Sequence, residues 1–408
     1  MNCLYNFSIR AYKVGLKLAA KSNVKASKML AGQARSIDLL NDKIIKGESY
    51  IWIHVASLGE FEQGRPLIEK IKRENKSKKI VLTFFSPSGY EIRKNYKEAD
   101  VICYLPLDLP ANVTRFLDIV NPEMAIFVKY EFWGNYLEQL KKRNIPTYII
   151  SAIFREKQSF FRWWGSMFRN LLYNFTHFFV QDENSRNLLK SVGITSVDVC
   201  GDTRFDRVTD IMAATKSFPI VENFTKGRFT LIIGSSWQPD EDIIIPYFNS
   251  HPEMRLIIAP HEFDEERIKA LKARIKRKCV CYTQTNEQEA TEADCLIINC
   301  FGILSSCYRY AQVAHIGGGF GTGIHNINEA AVYGIPVIFG PKYHKFKEAH
   351  DLIAAGGAFS IKSAVEFTDK MDKILKDEKY RIDCGENAKR YIESQLGATE
   401  FIYNKIFK

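Results

Sequence analysis

No unbroken apolar run of about 18 residues occurs in the sequence, so no transmembrane helix is expected. Nine cysteines are present, yet no CxxC pair is among them. They are scattered and odd in number, which argues against structural zinc and for a reduced, cytoplasmic compartment. Cys279 and Cys281, separated by one residue, suit alternating positions of a strand. There is no HExxH, and His344 and His350, six apart, do not share one helix face, so no metal constellation is expected. Asp240-Glu241-Asp242 spells DxD, but it reads as the acidic first turn of a helix. Neither an internal repeat nor a low-complexity tract is evident.

Acids are missing altogether up to Ile37, where Arg10, Lys13, Lys17, Lys21, Lys25, Lys28 and Arg35 are the charged residues. On a helical wheel Arg10, Lys13, Lys17 and Lys21 form one narrow stripe. Tyr5, Ile9, Tyr12 and Leu16 form another face, and Leu4, Phe7, Val14 and Leu18 extend it. That composition suits a helix lying in an anionic membrane surface; a helix docked on the protein's own body shows the same pattern. Lysines interrupt the apolar region, which disfavours a cleaved signal peptide. The whole chain carries a net charge of +10 and attracts anions without choosing among nucleic acid, anionic lipid and phosphorylated substrates.

The 408 residues, 46% hydrophobic and 25% charged, suit two globular domains. From residue 51 short apolar runs alternate with amphipathic stretches. The strands expected are Ile51–Ala56, Ile80–Phe85, Val101–Leu105, Met124–Val128, Thr147–Ala152, Phe178–Gln181 and Val197–Cys200. A second series is Phe229–Gly234, Arg255–Ala259, Cys279–Tyr282, Cys295–Ile298, Gln312–Ile316 and Ile335–Phe339. Continuous apolar strands alternating with helices imply parallel sheets covered on both faces. The fold expected is α/β, two Rossmann-like doubly wound domains with ligands in the cleft at the strands' carboxyl ends. Phe205–Gly227, polar and aperiodic, marks the junction. The boundaries are 1–40 for the basic amphipathic segment, 41–210 for the first domain and 211–408 for the second. The stretch from Asp377 reads as one or two helices that can pack back on the first domain.

Several strand ends carry residues fit for chemistry. After Ala311–Ile316 five glycines interleave with Phe320 and Thr322, and His325-Asn326-Ile327-Asn328-Glu329 follows. Glycines allow close approach of a ligand, and the N–H groups of a following helix can receive an anion. Glu329 would repel phosphate but can accept hydrogen bonds from sugar hydroxyls, so the loop reads as a nucleotide site of a sugar-transfer type. A glycine-rich packing turn is the alternative. In the first domain His54-Val-Ala-Ser57-Leu-Gly59-Glu60 ends a strand, and Glu60 suits a general base or the partner of Ser57 in a capping box. Glu131 stands just past another strand end. Arg204, in Gly201-Asp-Thr-Arg204-Phe-Asp206, can offset charge on a departing phosphate or pair with Asp202 or Asp206. Ser235 and Ser236, with nearby N–H groups, suit phosphate oxygens, and His261 after Pro260 suits a phosphate or a base.

As a set these motifs resemble the Kdo (3-deoxy-D-manno-octulosonic acid) transferases of lipopolysaccharide assembly. The resemblance is carried by HVASLGE (54–60), YLPLD (104–108), YEFWGN (130–135), GDTRFD (201–206), GSSW (234–237), IAPH (258–261) and GIHNINEAAVYGIPVIFGP (323–341), in order and with matching spacing. It implies the two-domain GT-B architecture and an inverting, metal-independent transfer from CMP-Kdo with no cofactor. It implies Glu60 as general base, with Glu131 and Arg204 as transition-state stabilisers. CMP would be held by Pro260 and His261, by Phe301, Gly302 and Ile303, and by Asn326, Ile327, Asn328 and Glu329. The partners implied are CMP-Kdo, a lipid A precursor and the anionic cytoplasmic face of the inner membrane, with peripheral or N-terminal anchoring and no nucleic acid. The chain departs from the family in having Lys129 for an acid, Gly134 for proline, Arg204 for lysine and His261 for arginine, and at Ser151–Arg155.

Three rival readings make different demands. A GT-B transferase or epimerase for UDP-sugars would bind UDP rather than CMP. An NAD-dependent oxidoreductase needs an acid at the end of the strand after Gly319-x-Gly321, where this chain has Gly340-Pro341. A non-catalytic basic scaffold would bind in a salt-sensitive way and consume no nucleotide sugar.

Overall fold

In the computed structural model, which describes residues 3–213 and 217–408, the apolar runs form two parallel sheets of seven strands each. The first contains β1 (Tyr50–Val55), β2 (Lys79–Phe84), β3 (Val101–Tyr104), β4 (Pro122–Val128), β5 (Thr147–Ala152), β6 (His177–Val180) and β7 (Val197–Val199). Their order is β3-β2-β1-β4-β5-β6-β7. Every residue of β1 is buried. Ile51, Ile53 and Val55 pack into the core on one face, Tyr50 and Trp52 into that on the other. Burial on both faces is why the strand reads as an unbroken apolar run.

The second sheet contains β8 (Phe229–Ser236), β9 (Met254–Pro260), β10 (Cys279–Cys281), β11 (Cys295–Ile297), β12 (Val313–Ile316), β13 (Val337–Phe339) and β14 (Ala358–Ser360). Its order is β10-β11-β9-β8-β12-β13-β14. The doubly wound α/β architecture expected from the sequence is present in both halves. β14 was not anticipated: it has three residues and sits at a sheet edge, too short to carry a pattern. In each sheet the winding reverses beside the first strand, between β1 and β4 and between β8 and β12. Such switch points open a crevice at the carboxyl ends of the strands.

The chain divides into two compact units, Met1–Arg207 with Leu396–Lys408, and Val208–Gln395. The boundary between the units falls within Phe205–Gly227, but that stretch is not aperiodic: the helices Arg204–Ala213 and Pro219–Thr225 occupy most of it; residues 214–216 lie outside the described residues. Phe205 and Val208, then Phe218, Val221 and Phe224, are buried, and their three-residue spacing places them on one helix face. Polar residues between them mask the period. The C-terminal helix Ala398–Phe407 belongs to the first unit, where Ile402 and Tyr403 join the core. Asp206 holds its start by accepting the backbone N–H groups of Gly397 and Thr399, each at 2.7 Å.

The N-terminal stretch forms two helices, Cys3–Ala19 and Val24–Lys43, and the first divides its apolar residues. The Tyr5 hydroxyl donates to Asp108 at 2.6 Å and accepts the Gly134 N–H at 3.0 Å. Tyr12 stacks on Phe85, and Leu16 is buried. Leu4, Phe7, Val14 and Leu18 remain exposed. One face is therefore docked on the protein's body and the other is uncovered. No helix of the described residues is long and apolar enough to cross a membrane.

Candidate active site

In the first unit β1 runs into the helix Leu58–Glu74 through a two-residue turn. Ser57 is its N-cap: the hydroxyl accepts the Gly59 N–H at 3.2 Å and donates to the Glu60 carboxylate. Ser57 caps the helix and also orients Glu60, so the two sequence readings of this pair coexist. Glu60 is partly exposed and stands beyond the carboxyl end of β1.

Glu131 stands beyond β4, the neighbour of β1, with His54 opposite Phe127 in the register. Between strand and carboxylate Lys129 takes the left-handed conformation, φ +69°. A lysine there costs about 1–3 kcal/mol, and such strain gathers at functional sites. Glu131 is clamped from two sides. Trp133 donates its indole N–H to Glu131 Oε2 at 2.7 Å, and His54 Nε2 lies 3.1 Å from the same oxygen. His54 Nδ1 lies 2.9 Å from the Thr83 hydroxyl, which accepts the Trp52 indole N–H at 2.8 Å. Nδ1 also lies 3.2 Å from the Thr83 carbonyl oxygen, and Nε2 lies 3.2 Å from the Trp133 indole nitrogen, so the ring is held at both nitrogens. Sequence reasoning assigned no role to His54, Thr83 or Trp133. The available signal was His54 itself, a buried polar residue inside an apolar strand, where a hydrogen-bond partner is all but obligatory.

Arg204 follows β7 at the edge of the sheet, yet its loop is tied to the central helix. Gln63, three residues after Glu60, donates its amide to Asp202 at 2.8 Å. Thr203 donates its hydroxyl to the Gln63 carbonyl and lies 2.9 Å from the Ser151 hydroxyl. Asp202 then takes the Arg204 guanidinium through Nη2 at 2.8 Å and Nε at 3.0 Å. Burial pushes the Asp202 carboxyl up, but the Arg204 charge and the hydrogen bonds from Arg204 and Gln63 outweigh it. The group is held below its ordinary value. Arg204 thus pairs with Asp202, and Asp206 holds the start of the C-terminal helix.

In the second unit β8 and β12 flank the switch point. Ser235 has φ +51°, and the buried Ser236 hydroxyl donates to Glu241 at 2.7 Å. Asp240 and Glu241 form the acidic first turn of the helix Gln238–Ser250. Both are buried: Glu241 pairs with Arg267 at 2.5 Å, and Asp240 accepts the N–H groups of Trp237 at 2.9 Å and Gly318 at 3.0 Å. The acidic run therefore ties the β8 loop to the glycine loop. The glycines do packing work as well. A Cβ on Gly317 would lie 2.2 Å from the Ser235 carbonyl oxygen, and one on Gly319 would lie 2.6 Å from the Gly340 nitrogen.

The expected anion-receiving helix start is corrected by its length. Asn328–Ala331 is a single turn of four residues, too short to align several N–H groups. What it presents is side chains. Asn326 donates its amide to Glu329 at 3.0 Å. Asn328 is fully buried, and both polar atoms of its carboxamide lack a protein partner among the described residues. Buried polar groups are nearly always paired, by protein, water or ligand. Beside this loop Trp237, His261 and His325 form a stack, with centroids 4.6 and 4.7 Å apart. Trp237 donates its indole N–H to His325 Nε2 at 3.2 Å. Burial, then the neighbouring His261, holds the His325 imidazole below its ordinary value. Pro260 ends β9 and pairs with Ser236. Phe301 is exposed against Phe263, Gly302 has φ +90°, and Ile303 begins the next short helix after β11. Every candidate nucleotide contact lies at or past the carboxyl end of β8, β9, β11 or β12. No group of three or more His, Cys, Asp or Glu side chains able to hold a metal occurs among the described residues.

Residues 25–207 match the family model for 3-deoxy-D-manno-octulosonic-acid transferase (kdotransferase). The chain is 29% identical over 337 residues to a 3-deoxy-D-manno-octulosonic acid transferase of Aquifex aeolicus, covering 81% of this chain and 87% of that protein. It is 24% identical over 365 residues to the protein of the same name from Haemophilus influenzae, covering 86% and 84%. Among solved structures it is similar to UDP-GlcNAc 2-epimerase from Neisseria meningitidis, with TM-score 0.57, 15% identity and coverage of 86% and 99%. That last likeness is one of fold.

Proposed function

Because the chain belongs to the 3-deoxy-D-manno-octulosonic-acid transferase family and is a glycosyltransferase, we propose that it transfers Kdo from CMP-Kdo to the lipid A precursor lipid IVA. The observation that carries this reading is the pair of carboxylates past neighbouring strands, Glu60 partly exposed and Glu131 clamped by His54 and Trp133. Glu60 takes the proton of a primary hydroxyl on the acceptor glucosamine. The resulting oxygen attacks the anomeric carbon with inversion, and the electron pair of the broken C–O bond leaves on the phosphate of CMP. Glu131 stabilises positive charge developing on the sugar. Arg204, oriented by Asp202, offsets the charge of the leaving phosphate.

In the second unit Pro260, His261, Phe301, Gly302, Ile303 and Asn326 to Glu329 hold CMP, with the carboxamide of Asn328 pairing the nucleotide. Ser235 and Ser236 line the phosphate side through their loop. The scheme uses neither metal nor cofactor, so a chelator should leave turnover unchanged. The acceptor carries phosphates and acyl chains. A basic helix with Leu4, Phe7, Val14 and Leu18 exposed suits work at the anionic cytoplasmic face of the inner membrane. The direct test is incubation with CMP-Kdo and tetraacylated lipid A precursor, followed by mass spectrometry. Mass increments of whole Kdo residues are expected, and their number gives the count transferred; an unchanged acceptor refutes the reading. Glu60→Gln should lower turnover about 10²–10⁴-fold, the usual worth of a general base, and leave CMP binding intact. Competition by UDP instead of CMP would favour the UDP-sugar reading that the epimerase-like fold also allows.

A further inference from the structure

A cavity whose lining includes neither Glu60 nor Glu131 lies in the first unit, at the β3 edge of the sheet. It measures about 410 Å³ and is bounded by the helix Val24–Lys43, the helix Pro87–Arg93 and β3. That volume lies within the range of small-ligand sites. Gly32 brings the helix backbone against β3, since a Cβ there would lie 2.2 Å from the Tyr104 ring. Tyr90 stacks on Tyr104 with centroids 4.2 Å apart, which builds an aromatic wall.

The charges lining the cavity do not balance. Glu91 is its one carboxylate, and it is already taken by Lys94 at 3.2 Å and the Tyr104 hydroxyl at 3.3 Å. Lys28, whose charge also acts on Glu91, and Arg35 are both exposed and outnumber that single carboxylate. They lie seven residues apart on one helix, about two turns or 10 Å, so both long side chains can reach one group between them. No acid occurs in the chain before Asp38 to offset them. An arginine fork beside a lysine point charge is chemistry suited to phosphate. The preceding helix exposes apolar residues beside Arg10, Lys13 and Lys17, which belongs at headgroup level.

We infer that this cavity is a binding site for a phosphate group, supplied by an anionic lipid headgroup, with Lys28 and Arg35 as its ligands. It is separate from the transfer reaction. The test uses the full chain, the variant Lys28→Gln/Arg35→Gln, and a control, Lys76→Gln/Lys97→Gln, which removes equal charge from another groove of the same unit. Binding is measured by calorimetry with glycerol 3-phosphate and by sedimentation with phosphatidylcholine vesicles, with and without phosphatidylglycerol. Loss of binding of about tenfold or more per cation in the cavity variant alone supports the site. Stronger binding to phosphatidylglycerol vesicles than to glycerol phosphate identifies the lipid source, whereas equal binding overturns the lipid assignment and leaves a free-phosphate site. Equal losses in both variants, or no loss in either, overturn the site itself.

Discussion

The imidazole of His54 offers a sharp test, because its two nitrogens serve different partners. Nδ1 meets Thr83 inside the strand layer, and Nε2 meets Glu131. An asparagine amide reaches approximately the position of Nδ1, and a glutamine amide that of Nε2. His54→Asn should therefore keep the Thr83 side and lose the Glu131 contact, while His54→Gln should retain a donor toward the carboxylate. Both variants lose a ring packed against Trp52 and Phe127. The shared destabilisation, about 1–3 kcal/mol, cancels when the two are compared.

The difference between them measures one hydrogen bond to a charged group, about 1.5–3 kcal/mol. At about 1.4 kcal/mol per tenfold, His54→Asn should have kcat about 10–150-fold below wild type, and His54→Gln should recover most of the loss. KM for CMP-Kdo should stay near the wild-type value in both, because the nucleotide contacts lie in the second unit. Steady-state transfer assays, with urea unfolding of each variant as the stability control, provide the numbers. Equal losses in the two variants would reduce His54 to a packing residue. Full turnover in His54→Asn would remove Glu131 from the mechanism or its clamp from relevance.

Other outcomes follow from single contacts. Asn328→Ala removes a buried carboxamide that has no protein partner, so unfolding free energy should change by no more than about 1–2 kcal/mol, while calorimetry should show CMP affinity falling at least tenfold. His325 is held below its ordinary value by burial and by His261, opposed by Asp240, so its neutral form is the folded one. The stability it contributes is full above the usual histidine value of about 6.5 and is lost as pH falls toward the folded value. A protonated Nε2 cannot accept the Trp237 N–H, so CMP affinity measured against pH should drop in that same window, and His325→Gln should flatten the profile. Asp206→Ala strips the cap from the C-terminal helix and should cost the first unit about 1–2 kcal/mol, visible in urea unfolding, with CMP binding unaffected.

Legibility in the sequence followed burial. β1 announces itself because all its residues are buried, and the same holds for β9, β11, β12 and β13. β14 and the helices around residue 210 escaped, the first for lack of length and the second because polar residues interrupt Phe205, Val208, Phe218, Val221 and Phe224. The site was legible as positions but not as partnerships. Glu60, Glu131 and Arg204 stand at strand or loop ends that pattern alone can find. The residues that orient them are Ser57, His54 with Trp133, and Asp202 with Gln63, and in the last two cases the partners are brought together by pairings between strands and helices far apart in the chain. Gln63 meets Asp202 across 139 positions, and His54 meets Glu131 across 77. No local periodicity encodes such distances. What the sequence does hold is the anomaly each one leaves behind: a histidine in an apolar strand, or an aspartate before an arginine in a loop that should have been solvated. A buried polar residue has to be answered by another, so these anomalies are where a three-dimensional partner should be sought first.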